Sequence, residues 1–220
     1  MNIKDYREKE LKYFIIANIL AIVYISGVFS IDSIVSNDGY LTLMCTIIEN
    51  GIFSGVMYSM SIIFDSVISH KFKQYIVFQW RGEPGGSIFT ELNKKNKDHR
   101  FTVDEVKKLY PKLYAEMPSN KKERREYENN KWYSIYRKHE NETKIQVLQR
   151  DYLLCRDMAV SLLVILTIYL VMIALTDIIQ LQSKVVMYIL ILFVICVIAA
   201  NVKAKRFVST VIASDVHKNE

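Results

Sequence analysis

Two parts of the chain carry residues whose types and spacing could support chemistry, one inside an apolar stretch and one in a highly charged segment. In the apolar stretch, Glu49 and Asn50 directly precede Gly51 and Gly55. Ionisable groups at membrane depth are costly and usually face a polar cavity or the interior of a helix bundle. This polar pair in an apolar stretch therefore predicts that Glu49 and Asn50 line a pore. The alternative is that Glu49 lies near the outer interface, where it is hydrogen-bonded and has a structural role.

The spacing of Gly51 and Gly55 is that of a GxxxG pair. Small residues one helical turn apart allow the backbones of two membrane helices to approach closely. The pair predicts a packing face, either within one subunit or between subunits.

In the charged segment, cations alternate with aromatic side chains, a combination that suits phosphates and stacked bases. The alternative is a solvated helix face, or a surface attracted to anionic lipid headgroups, and from charge alone it is the more common case. The predicted ligand-binding residues of this segment are Lys121, Lys122, Arg124, Arg125, Trp132, Tyr133, Arg137 and Lys138.

A second candidate anion site lies near Trp80, where Arg81 opens the turn 81–86 and Lys73 precedes it. Backbone amides of Gly85 and Gly86 could contribute to such a site. The glycines lack the spacing of a phosphate-binding P-loop, and no Lys-Ser or Lys-Thr pair follows them.

Enzyme signatures are missing from the sequence, which holds neither a Gly-x-Ser-x-Gly nor a His-Glu-x-x-His motif. The three cysteines occur without a CxxC pair, and the four histidines lack the spacing of metal ligands. We therefore expect no catalytic residues, no metal site and no cofactor. Two Arg-Asp pairs, Arg150-Asp151 and Arg156-Asp157, are expected to act as ion pairs or interfacial anchors.

Four apolar stretches must position these residues, at 13–31, 41–64, 158–178 and 185–202. About 20 apolar residues are needed to cross the hydrocarbon core of a bilayer as a helix. The predicted architecture is an all-α membrane protein with four transmembrane helices in two hairpins. It divides into an N-terminal hairpin (1–70), a basic cytoplasmic insert (71–157), and a C-terminal hairpin with its tail (158–220).

Charge gives the orientation. The insert holds 20 Lys and Arg residues against 13 Asp and Glu, a net charge of +7, while the rest of the chain carries −1 of the total +6. Lys and Arg near the ends of spans favour the cytoplasmic side. Cations also precede the first span and follow the last, so both termini and the insert are predicted to be cytoplasmic.

The insert is predicted to be helical. The second span should extend inward through residue 78 and stop at the glycine turn. Thr102 and Glu105 form a capping box for a short helix that Pro111 should break. Ser119 is the predicted N-cap of a helix over 121–139, and a last helix should start near 141–143 and continue into the third span.

The chain resembles a family of small bacterial four-span membrane proteins. The resemblance covers about residues 80–159. The motifs that carry it are Trp80-Arg-x-x-Pro84-Gly85-x-x-x-Phe89, Asp98-x-Arg100, Asn130-x-Trp132-Tyr133-x-x-Tyr136 and Tyr152-Leu-Leu-x-Arg156-Asp157. The chain departs from the family pattern at Gly86, where a cysteine is usual. The family in turn is similar to the membrane effectors of Hailong-type anti-phage systems. That similarity implies an oligomeric ion channel controlled by an oligodeoxyadenylate, which a partner nucleotidyltransferase makes.

Together these observations predict a homo-oligomeric, ion-channel-like effector of the bacterial inner membrane that is gated through its insert by a nucleotide or short oligonucleotide. Four spans form a poor pore alone, so we expect a closed ring, with a tetramer as the working assumption. The alternative is a membrane-anchored interaction module that recruits a cytoplasmic partner without conducting ions.

Overall fold

All regular structure is helical in the part of the chain that this computed structural model describes, residues 3–26, 40–78, 83–94, 98–175 and 181–218. The all-α prediction is confirmed. The elements in order are α1 (Ile3–Ile25), α2 (Tyr40–Val67), α3 (His70–Phe78), a 3-10 helix (Pro84–Ser87), α4 (Ile88–Lys94), α5 (Val103–Leu109), α6 (Pro111–Ala115), α7 (Lys121–His139), α8 (Thr143–Leu175) and α9 (Ser183–Lys218).

Within those described ranges, two helices are long and apolar enough to cross a membrane, namely α8 and α9. The chain bends by 100° between α2 and α3. If these two helices count as one broken helix, they form a third candidate span. The prediction that the second span continues straight through residue 78 is therefore wrong. Ser69 explains the break, because its hydroxyl accepts a hydrogen bond from the Phe72 amide at 3.3 Å and so caps α3.

The chain divides into two compact units. The first unit is Met1–Lys73 with Leu154–Ile198, and the second unit is Gln74–Leu153 with Ala199–Glu220. Helices α8 and α9 each contribute residues to both units. The predicted domain boundaries at residues 70 and 157 stay a prediction. In the structure, Ala199–Glu220, predicted to belong to the C-terminal hairpin and its tail, clusters with the second unit.

Helix α1 of the first unit has one buried and one exposed apolar face. Ile15, Ile19 and Ile22 are buried at helical spacing, whereas Leu20 and Tyr24 are exposed on the opposite side. The rest of the buried core of this unit includes Met57, Leu162, Ile165, Tyr169, Val185 and Ile189. A helix that is apolar on its exposed face suits a lipid environment or a further protein surface.

The second unit is built around α7, whose bounds agree with the predicted helix over 121–139. Its N-cap is Asn120 and not Ser119, because the Asn120 side chain accepts the Lys122 amide at 2.9 Å. The predicted capping box of Thr102 and Glu105 is present at the start of α5. As predicted, this helix ends just before Pro111, which opens α6.

Candidate functional site

Apart from Arg81, the predicted ligand-binding cations lie on α7, where they form two groups. Lys121 and Lys122 are exposed at its first turn, with Arg124 and Arg125 half-buried behind them. The second group is at the last turn, where Arg137 and Lys138 are exposed. Sixteen residues separate Lys121 from Arg137, which is about 24 Å along a helix. A single nucleotide cannot reach both groups, whereas an oligomer with several phosphates can.

The two predicted stacking residues differ in exposure. Tyr133 is 45% exposed, and the Arg137 guanidinium lies over its ring at 5.1 Å from the centroid. A cation and an aromatic face are therefore presented together at the surface. Lys138 is also exposed, and its ammonium lies 3.8 Å from the Asp215 carboxylate.

Trp132 belongs to the core, which corrects its assignment as a base-stacking residue. It is only 7% exposed, stacks on Tyr136 at 5.6 Å between centroids, and meets the edge of Phe207 at 5.4 Å. Its indole N–H donates to the Val208 carbonyl oxygen at 3.2 Å. Both its ring faces and its polar atom are already in use, so its role here is to fix α7 to α9.

The glycine turn packs closely against α7. A Cβ atom on Gly85 would lie 2.8 Å from the Trp132 ring, and one on Gly86 would lie 3.1 Å from the Arg125 carbonyl oxygen. The Gly86 amide already donates to the Glu83 carbonyl oxygen at 2.9 Å. The lack of a side chain at Gly85 and Gly86 therefore allows the turn to approach α7 this closely. Arg81, the predicted cation of this site, lies outside the described residues.

The predicted pore residues lie in α2. The side chains of Glu49 and Asn50 are outside the described part of the structure, so their roles stay predictions. Among described atoms, nothing lies within 4 Å of a Cβ built on Gly51 or Gly55. Toward the described residues this glycine face is therefore open, and both predicted uses of the pair, packing within a subunit and packing between subunits, stay predictions.

A cluster of buried charges in the first unit was not predicted as a site. Lys73, Arg156 and Asp157 are each less than 10% exposed. The Arg156 guanidinium donates two hydrogen bonds to Asp157, at 2.6 and 2.9 Å, and its third nitrogen lies 2.8 Å from His70 Nδ1. The predicted Arg156-Asp157 ion pair is therefore present, but it is buried.

The same residues line a cavity of about 490 Å³, called the charged cavity below. Its basic lining residues are Arg7, Lys12, His70, Lys73 and Arg156, and its acidic ones are Glu8, Asp65 and Asp157. Lys73 donates to Asp65, and both Lys73 Nζ and Arg7 Nε lie about 4 Å from Asp157. Only the clustering of Arg156-Asp157 at the start of an apolar stretch could have indicated this site in the sequence.

A second buried polar group lies in the second unit and is called the Asp215 cluster. Asp215 accepts a hydrogen bond from the Tyr110 hydroxyl, and its other oxygen lies 2.8 Å from His139 Nε2. His139 Nδ1 faces Glu142, so the imidazole ring lies between two carboxylates. Burial, followed by Asp215, raises the pKa of Tyr110 well above its ordinary value.

At the surface, an ion pair in the segment before α5 is hydrogen-bonded to two hydroxyl groups of α9. Arg100 donates to Asp98 and to the Thr210 hydroxyl, and Ser209 donates to Asp98. The hydrogen bond from Arg100 holds the pKa of Asp98 well below its usual range, despite partial burial. Asp98 and Arg100 therefore stay charged across the physiological range and act as structural partners of α9.

Comparisons of the chain with protein-family models, with curated proteins and with solved structures found no match.

Proposed function

We propose that this chain is the subunit of an oligomeric, ion-channel-like effector of the bacterial inner membrane, gated through its basic insert by a nucleotide-derived ligand in anti-phage defence. Four transmembrane helices in two hairpins, with both termini cytoplasmic, are part of the proposal. Oligodeoxyadenylate, made by a partner nucleotidyltransferase, is the proposed ligand. Assembly, conduction and ligand binding each have separate support.

The observation that carries the proposal is the open face of α2. Gly51 and Gly55 meet no described neighbour within the subunit. Ser59 and Ile62 continue the same face, because residues three and four apart align on a helix. At its C-terminal end, Ile62, Asp65 and Ser66 line the charged cavity. A face of small residues that leads to buried charges suits a helix that packs against other subunits around a polar path.

Ligand control is supported by the surface of α7. Lys122, Tyr133 and Arg137 lie on its exposed side, with Arg137 stacked on Tyr133. Cations beside an exposed aromatic ring suit a single-stranded nucleic acid, since phosphates pair with the cations and a base can stack. The spacing of about 24 Å along the helix favours an oligomer over a mononucleotide.

Ion flux from purified protein in liposomes tests the proposal. Wild-type protein is expected to carry a flux that short oligodeoxyadenylates change. The double variant Lys122→Gln/Arg137→Gln should lose most of this response, and its binding should depend less steeply on salt, because fewer phosphate contacts release counterions. Lys108→Gln/Lys112→Gln removes the same charge from exposed positions in the same unit and is the matched control. If both doubles lose the response equally, the α7 site is wrong.

Selectivity gives a second measurement, on the predicted pore carboxylate. Glu49→Gln removes the charge and keeps the size, so it should lower cation preference without dissolving the oligomer, and Glu49→Lys should shift preference toward anions. Reversal potentials measure both effects. A wild-type protein without current in any ligand state would exclude the channel and leave the membrane-anchored interaction module.

A further inference from the structure

The charged cavity has the size of a ligand site. Its volume of about 490 Å³ falls in the range of small-molecule pockets. Two of its cations, Lys73 and Arg156, are themselves more than nine-tenths buried. Buried cations are costly unless they are paired, and each of these has a carboxylate partner, Asp65 for Lys73 and Asp157 for Arg156.

Charge in the cavity is not balanced by its own acids. Four Lys and Arg side chains face three carboxylates, and His70 adds a group that can also become positive. Asp157 is held by two hydrogen bonds from Arg156, whereas Arg7 Nε lies 3.9 Å from it, which is longer than a hydrogen bond. Lys12 is exposed at the rim. The rim cations are therefore placed to bind a further anion.

Apart from Ser66, the rest of the cavity wall is apolar. Leu11 and Ile15 of α1 and Ile62 of α2 line it, and both helices continue with exposed apolar side chains such as Leu20 and Ile63. A ligand with an anionic head and apolar chains would match both parts of this surface. Basic pockets between membrane helices on the cytoplasmic side bind the phosphate groups of anionic lipids.

We propose that the charged cavity binds the phosphate-bearing headgroup of an anionic membrane lipid, with Arg7 and Lys12 as its contacts at the rim and Lys73 and Arg156 as the buried positive base. The acyl chains lie along the exposed apolar faces of α1 and α2. The proposal rests on the membrane insertion of these two helices, but neither on ion conduction nor on nucleotide binding.

Thermal unfolding of the purified full-length protein in mixed micelles tests it. Phosphatidylglycerol should raise the midpoint in a saturable way, and phosphatidylcholine should not, because only a ligand of the folded state stabilises it. Arg7→Gln/Lys12→Gln should raise the half-saturating lipid concentration about 25-fold, since each cation near an anionic lipid contributes about fivefold. The control Lys9→Gln/Lys184→Gln removes the same charge from exposed positions outside the cavity and should change it less than about twofold.

Three results would overturn the proposal. Equal stabilisation by both lipids would mean that no anionic headgroup is recognised. Equal losses in the two double variants would mean that general surface charge binds the lipid. Inorganic phosphate that reproduces the full effect would reassign the cavity to free phosphate. If the Arg7→Gln/Lys12→Gln protein does not fold, the single Lys12→Gln variant at the exposed rim should still show a loss of about fivefold.

Discussion

Asp157→Ala is expected to destabilise the protein by about 3–5 kcal/mol, because it leaves buried cations without their carboxylate. Asp157 is 3% exposed and accepts two hydrogen bonds from Arg156, which is equally buried. Lys73 lies 4.0 Å from the same carboxylate. In circular dichroism, the midpoint of thermal unfolding should fall by at least about 6 °C for a chain of this size.

The matched control is Asp151→Ala, the same substitution six residues earlier on α8. Asp151 is also paired, with Arg150 at 2.6 Å and Lys203 at 3.0 Å, but its side chain is 24% exposed. Ion pairs open to solvent contribute about 0–1 kcal/mol. If Asp157→Ala and Asp151→Ala lower the free energy of unfolding equally, burial does not determine how much Asp157 contributes to stability.

Asp215→Ala should destabilise the second unit by about 3–5 kcal/mol, since it removes the acceptor of a buried network. Tyr110 and His139 would lose their shared partner, and His139 has no exposed surface on which water could replace it. Trp132 lies in the core of this unit, so a change in intrinsic tryptophan fluorescence measures the unfolding of the unit.

Tyr110→Phe separates one bond of this network from the rest. It removes only the hydroxyl that donates to Asp215, so a smaller loss of about 1.5–3 kcal/mol is expected near neutral pH. The raised pKa of Tyr110 means that its contribution is present below about pH 10 and lost as the pH rises above that value. Tyr110→Phe should therefore flatten the alkaline loss of stability. Tyr133→Phe, at an exposed ring, is the control, and equal profiles for the two would contradict the assignment.

Local signals in the sequence predicted local structure well. The capping box at Thr102 and Glu105 and the bounds of α7 depend on residues within one or two helical turns of each other. The bend after α2 could also have been found, since Ser69 is a favourable N-cap, but the apolar run across it suggested a continuous helix.

Long-range contacts explain what the sequence could not predict. Trp132 is in the core because Phe207 and Val208 cover it, and these residues are about 75 positions away. The charged cavity likewise collects Arg7, Asp65 and Arg156 from three helices. Neither arrangement produces a periodic pattern in the sequence. From the sequence alone, Trp132 is therefore interpreted as a surface group, because it lies within a basic run.

The placement of Asp215, Phe207 and Val208 inside the second unit has a consequence for the order of biosynthesis. Residues 74–153 leave the ribosome first, but their core stays incomplete until residue 215 has been translated. At about 5–20 residues per second, the intervening 62 residues take roughly 3–12 s. During that interval Trp132 lacks its cover and His139 lacks its carboxylate. The nascent segment is therefore expected to need a holding chaperone until α9 has been translated.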